Sequence, residues 1–323
     1  MRQKKQKEFK SGRAYRRKTA ALLFFGLLIL ISLLELIPLE QDFSDKENRP
    51  LATRPKLAWE DVADGSFMDK YEAFRSDQFL GRNLWVSLKN RIDLLMGKRE
   101  SNGVFKGKDD YLLEDIKEAD QEKLHANLKA MADFGESYEK VPIYLALAPN
   151  AANILSDKLP RFAVTKDQNG MFREISQELS ERVAWVDLSK TLAAHKKEEI
   201  YYRTDSHWTT LGAYYASQQL VESMQLDEAK TPKWEKYVVT NIFTGDLSLK
   251  SGYQTGYQES IYIYTAKSDK EMPQIVVDAG EGKISTLYDR TKLKEMDAYD
   301  LFLGGSKGMV NIRTTADTTD RLL

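Results

Sequence analysis

The chain of 323 residues has only three histidines, and one of them, His207, lies two residues after Asp205 in YYRTDSHWTTLGAYY, residues 201–215. In an extended segment residues two apart point the same way, so Asp205 and His207 are expected to share a face, with Ser206 turned aside. A carboxylate within hydrogen-bond reach of an imidazole fixes its tautomer and stabilises the imidazolium, which is the orienting role in an Asp–His–nucleophile triad. Thr209 or Thr210 would cap the following helix, and Trp208 would wall the site against water. The same residues also fit a capped helix start with a core tryptophan and an exposed histidine, and D-x-H alone does not separate the two. The other histidines read more plainly. His125 sits beside Leu124 and Leu128 in a helical pattern, and His195 precedes Lys196 and Lys197 at a helix end, where a cation suits the dipole. With scattered histidines, no cysteine and no H-E-x-x-H, no metal or cofactor site is expected.

The elements that must hold this stretch follow from hydrophobic patterning. Residues 141–148, VPIYLALA, and 183–188, VAWVDL, are continuous apolar runs, as in strands of a parallel sheet covered by helices. Phe172, Ile175, Leu179 and Val183 recur at helical spacing between them, giving the strand–helix–strand order of an α/β fold. Asn150 follows Pro149 at the end of the first strand, where ligands bind in open α/β sheets; it is a candidate substrate or oxyanion contact. Further helices are expected over Phe67–Tyr71–Phe74, over Leu84–Leu88–Ile92–Leu95, and over Leu124–Leu128–Met131. NGVFKGKDDYLLE, residues 102–114, reads as a hairpin. From Tyr237 to Ile284 the pattern turns to short strands such as SIYIYTA and QIVVDA. Tyr201, Tyr202, Trp208, Tyr214 and Tyr215 crowd the D-x-H stretch and read as core before they read as a sugar platform.

The amino terminus sets the compartment. Residues 1–18 hold nine Lys or Arg and one acid, and residues 19–34 carry no charge. A spanning helix needs about 20 mostly apolar residues, so the run reaches that length only with Glu35 at an interface. No small-x-small cleavage site follows it. The expected organisation is a basic cytoplasmic tail over 1–18, a transmembrane anchor over 19–38, a juxtamembrane linker over 39–60 and an extracytoplasmic domain over 61–323. The positive-inside rule places that domain outside the cell membrane in a single pass. Against a total of −1, the tail leaves the rest of the chain at about −9. Such an acidic external part excludes nucleic acid as an expected partner.

TDSHWTTLGAYYA resembles the D-x-H-W signature of the bacterial DHHW proteins and of related alginate acetylation proteins of the SGNH-hydrolase-like group. FSDKENRPLATRP, FRSDQFLGRNLW, NGVFKGKDDYLLE and LYDRTKLKEMDAYDLFLGG resemble further blocks of that family, in family order, across residues 43–323. The resemblance implies a flavodoxin-like α/β/α sandwich and a Ser–His–Asp set acting in O-acetyl transfer or removal on extracellular polysaccharide. It also implies a membrane-bound O-acyltransferase as a partner. By motif, Asp205 would orient His207 and His207 would be the general base. The family's serine follows a strand that here would begin at Arg321–Leu323, so the nucleophile is expected outside residues 1–323. Relatives carry Asn where this chain has Ser306; that serine follows two glycines, as in a plain turn. A glycan-binding or assembly subunit without catalysis is the alternative.

Overall fold

The computed structural model describes residues 18–30, 32–33, 40–44, 49–226, 234–266, 274–278, 282–295 and 298–315. The chain divides into two compact units, Met1–Asp45 with Arg49–Lys89, and Lys46–Asn48 with Asn90–Leu323. The division between Lys89 and Asn90 falls within a helix.

In the first unit residues 18–30 are helical and exposed. Among the described residues no helix is long and apolar enough to cross a membrane; residues 31 and 34–38 of the expected anchor lie outside the described residues. Farther on, β1 (Phe43–Ser44) pairs antiparallel with β2 (Arg49–Pro50). Short α1 (Trp59–Ala63) precedes α2 (Ser66–Asp77), which aligns Phe67, Tyr71 and Phe74 on one face. The polar segment before these helices is not loose. The Asp77 carboxylate accepts the N–H of Ala52 at 2.9 Å, and the Gln78 side-chain amide donates to the carbonyls of Gln41 and Ala52. The next helix, α3 (Arg82–Leu95), carries the chain across the division.

The second unit starts with a meander of β3 (Glu100–Ser101), β4 (Val104–Lys106) and β5 (Leu112–Glu114). Asn102 and Gly103 at φ 52° and 74° make the two-residue turn between β3 and β4, the hairpin geometry that Asn-Gly favours. After α4 (Gln121–Ser137) comes the α/β core. Here β6 (Ile143–Ala146) pairs parallel with β7 (Val183–Val186), and α5 (Ala151–Ile154) and α6 (Gln168–Glu178) lie in the crossover. The strand expected to reach Leu188 stops at Val186, because the Asp187 carboxylate accepts the N–H of Ser189 and starts α7 (Leu188–Ala194). Helix α8 (Thr210–Ser223) follows the D-x-H stretch.

An antiparallel pair, β8 (Trp234–Phe243) and β9 (Glu259–Ala266), brackets α9 (Asp246–Ser251). Strand β10 (Ile275–Asp278) pairs with β11 (Lys283–Ile284) and β12 (Asn311–Thr314). The main core joins Leu113, Ala151, Leu155, Val186, Leu192, Ile200, Tyr201 and Ala216. A second cluster joins Tyr202, Phe243, Ile261 and Leu301. The D-x-H stretch thus springs from a point where both cores hold adjacent residues, Tyr201 in one and Tyr202 in the other. The strand expected at Arg321–Leu323 lies outside the described residues.

Candidate active site

Asp205 and His207 sit at the tip of a closed loop rather than on an extended strand. Tyr201 and Trp208 bridge in antiparallel fashion. The N–H of Tyr202 donates to the carbonyl of His207 at 3.2 Å, and that of Thr209 to Ile200 at 2.9 Å. Residues 203–207 bend between these rungs. The pair still meets, by a different route from period-2 alternation. The Oδ1 atom of Asp205 accepts the backbone N–H of His207 at 2.9 Å, in the manner of an Asx turn, and lies 2.6 Å from the ring Nδ1. The Asp205 side chain is fully buried, while that of His207 is 48% exposed. The imidazole lies flat on the Tyr299 ring, with centroids 3.9 Å apart and planes 10° from parallel.

The loop is fixed from three directions. On one side the carbonyl of Arg203 accepts the N–H of Leu112 in β5 at 2.7 Å. Behind it, buried Glu259 at the start of β9 accepts the N–H of Arg203, the N–H of Thr204 at 2.8 Å and the Thr204 hydroxyl. In front, α9 begins against the pair. Its first residue, Asp246, donates its N–H to Oδ2 of Asp205 at 3.2 Å. Its carboxylate accepts the N–H and the hydroxyl of Ser206 at 2.9 and 3.0 Å. Gly245 lets that helix come so close: a Cβ there would stand 2.2 Å from the Cβ of Asp205.

Burial, then the neighbouring Asp205 charge, push the Asp246 carboxyl up to about 6, while the donors from Ser206 and the charge of His207 pull it down. Glu259 is also pushed up, first by burial and in part by Asp205, against the pull of the Arg203 and Thr204 donors. Low dielectric magnifies like-charge repulsion, so the Asp205 charge raises both of these buried carboxyls.

The other sequence candidates take structural places. Trp208 packs against the main core through its indole, so it does not simply wall the pair. The Asn150 side chain accepts the N–H of Ala152 at 2.7 Å and caps α5, and its own N–H donates to Gln168. The preceding carbonyl, Pro149, accepts the buried Tyr201 hydroxyl at 2.7 Å, which ties the end of β6 to the root of the loop. Thr209 caps α8 through Gly212. Ser306 is exposed, after Gly304 and Gly305 at φ 74° and 89°. His125 pairs with Glu178 on the surface, and His195 closes α7 while pairing with Glu198. Of the crowded aromatics, Tyr201 and Tyr202 are core and Tyr214 is exposed. Among the described residues no cluster of three or more His, Asp or Glu is placed to hold a metal. Sequence reading missed Tyr299, Asp246, Gly245 and Glu259.

A family model described as the SGNH hydrolase-like domain of the acetyltransferase AlgX matches residues 104–272. The probable alginate O-acetylase AlgJ of Pseudomonas syringae pv. tomato is 24% identical over 239 residues, covering 70% of this chain and 58% of that protein. The chain therefore spans less than two thirds of this curated relative. The fold is similar to that of a DHHW family protein from Eubacterium siraeum (TM-score 0.52, 22% identity, 68% of this chain and 73% of that one). It is also similar to that of Bacillus cereus PatB1 with a sulfonyl adduct (TM-score 0.51, 17% identity, 64% and 72%). At these identities the likeness concerns the fold, an SGNH-hydrolase-like α/β arrangement.

Proposed function

Because the chain belongs to the SGNH hydrolase-like family of the acetyltransferase AlgX, we propose that it acts in O-acetylation of an extracellular polysaccharide, as an O-acyltransferase or esterase with His207 as general base. One observation carries this reading: the 2.6 Å contact from a buried carboxylate to a half-exposed imidazole. Asp205 can only accept, so Nδ1 donates to it and the ring lone pair falls on Nε2. That atom would take the proton of a serine hydroxyl as its oxygen attacks an acetyl ester carbonyl. It would then return the proton to the alcohol that leaves. A glycan hydroxyl (or water) attacking the acetyl-serine ester reverses the same transfers. Ser206 is not that serine, because its hydroxyl donates to Asp246. Asp205 holds the ring in its tautomer and balances the imidazolium.

The basic tail over 1–18 and the uncharged run over 19–34 support a single-pass anchor with the larger unit outside the cell membrane. In that setting a membrane-bound O-acyltransferase would supply acyl groups from across the bilayer. The test is made in cells. His207→Ala or Asp205→Asn replaces the wild-type residue, and the acetyl content of the surface polysaccharide is measured by NMR. Both variants are expected to fall to the level of a gene deletion, since triad members act as a unit. Wild-type acetylation in His207→Ala would overturn the reading.

A further inference from the structure

A cleft of about 240 Å³ opens at the root of the same loop. Asp205 and His207 are not among the residues that line it, but Arg203, two residues before Asp205, is. Its floor is one face of β9. Along that strand Ile261 and Ile263 turn into the second core, so Tyr262 and Tyr264 point the other way, into the cleft. Same-face residues in a strand stand ~7 Å apart, so the two phenol rings form a short aromatic platform. The exposed Lys236 of β8 rests its ammonium 3.7 Å from the centre of the Tyr262 ring.

The opposite wall is polar and already ordered. The Arg203 guanidinium lies 3.7 Å over the Tyr257 ring and donates to Oε1 of Glu199 at 3.0 Å. The Tyr257 hydroxyl donates to that same Oε1 at 3.1 Å. Both bonds fall on one oxygen, so Oε2 is left to accept from a ligand.

We infer that this cleft seats a pyranose unit of the acceptor glycan, stacked on Tyr262 and Tyr264, with ring hydroxyls donating to Glu199 and accepting from Lys236. The inference rests on the polysaccharide reading above and gives it a binding site. Two features favour a sugar over a simple anion. Arg203 is spent on Glu199, and Glu199 together with buried Glu259 balances the two cations of the lining. A phosphate would meet a carboxylate, whereas a polyhydroxylated ring uses acceptors, donors and flat aromatic faces at once. The volume lies below the ~300–1,000 Å³ of drug-sized pockets and suits one ring of a chain that continues into solvent.

The full chain is titrated by NMR with cellotetraose, with an oligomannuronate tetrasaccharide and with inorganic phosphate, following fluorinated tyrosines. At least one tetrasaccharide is expected to shift Tyr262 and Tyr264, and the neutral and acidic arms separate a plain glycan from a uronate. Glu199→Gln, which keeps shape at an exposed position, and Tyr264→Ala should each weaken binding about tenfold while melting and the His207 ring signals stay put. Silence at both tyrosines with either sugar, a response to phosphate alone, or unchanged affinity in both folded variants overturns the inference. Sugar binding in the cleft with normal acetylation in His207→Ala cells would sink the acyl-transfer reading and leave this one standing. Lost acetylation without cleft binding would do the reverse.

Discussion

The backbone N–H of Asp246 donates to Oδ2 of Asp205 while the carboxylate of Asp246 accepts both the N–H and the hydroxyl of Ser206. Each aspartate thus holds the other's segment, and two carboxylates are packed where one would do. Like charges held together in a buried place make this arrangement sensitive to protons.

The first prediction concerns pH and stability. Asp246 titrates near 6 in the folded chain and near 3.8 unfolded. Between those values the folded state binds more protons, so stability falls as pH rises through about 4 to 6 and then levels off. Glu259 is raised too and adds slope of the same sign. Asp246→Asn should flatten much of this dependence in urea titrations at pH 4, 5, 6 and 7, with the Glu259 share remaining. An unchanged slope in the variant would remove Asp246 from the account.

Gly245→Ala should disturb the pair itself. The added Cβ would stand 2.2 Å from the Cβ and 2.6 Å from the Cα of Asp205. Backbone must move, at a cost of about 1–3 kcal/mol. The low-field Nδ1 proton of His207, followed by NMR, should shift or broaden; a wild-type signal at wild-type stability would contradict the close approach.

Gly212→Ala tests the same idea with the opposite prior. In most helix interiors alanine gains about 1 kcal/mol over glycine. Here the new Cβ would stand 2.3 Å from the carbonyl oxygen of Ile200 and 3.1 Å from the Cβ of Trp208. The urea midpoint should therefore fall. A rise would mean that α8 does not press on the root of the loop.

Glu259→Ala should be among the most harmful single changes. It strands the N–H groups of Arg203 and Thr204 and the Thr204 hydroxyl. Unsatisfied buried groups cost about 1–3 kcal/mol each, so a loss of at least about 3 kcal/mol is expected, from a usual total of about 5–15 kcal/mol. Glu259→Gln keeps an acceptor and should lose less. Equal melting of the two variants would argue against the carboxylate as an anchor.

Local signals in the sequence were legible and distant ones were not. The periodicity at Phe172, Ile175 and Leu179 and the apolar runs on either side place α6 between β6 and β7. Of the two threonines that could cap α8, Thr209 does so. SIYIYTA and QIVVDA correspond to β9 and β10. The D-x-H spacing locates Asp205 and His207, although a bent loop joins them instead of strand alternation. What completes the site comes from positions with no spacing to read. Tyr299 arrives from a 3-10 turn, Glu259 from a strand end and Asp246 from a six-residue helix. A buried glutamate and a glycine look like any other until the backbone that each must touch is known. Asn150 shows the converse: its position at a strand end suggested ligand contact, and its side chain is occupied as a cap.

The bond from Thr204 to Glu259 has a consequence for the order of events as the chain is made. Contacts between residues far apart in sequence must wait for the later residue to be made and for the loop between them to close. Glu259 lies 55 residues beyond Thr204. Until β9 has been synthesised and docked, the D-x-H stretch lacks the group that pins its backbone. A nascent or clipped chain ending before that strand would therefore carry the aspartate and the histidine on a loop whose preceding residues, Arg203 and Thr204, lack their buried acceptor.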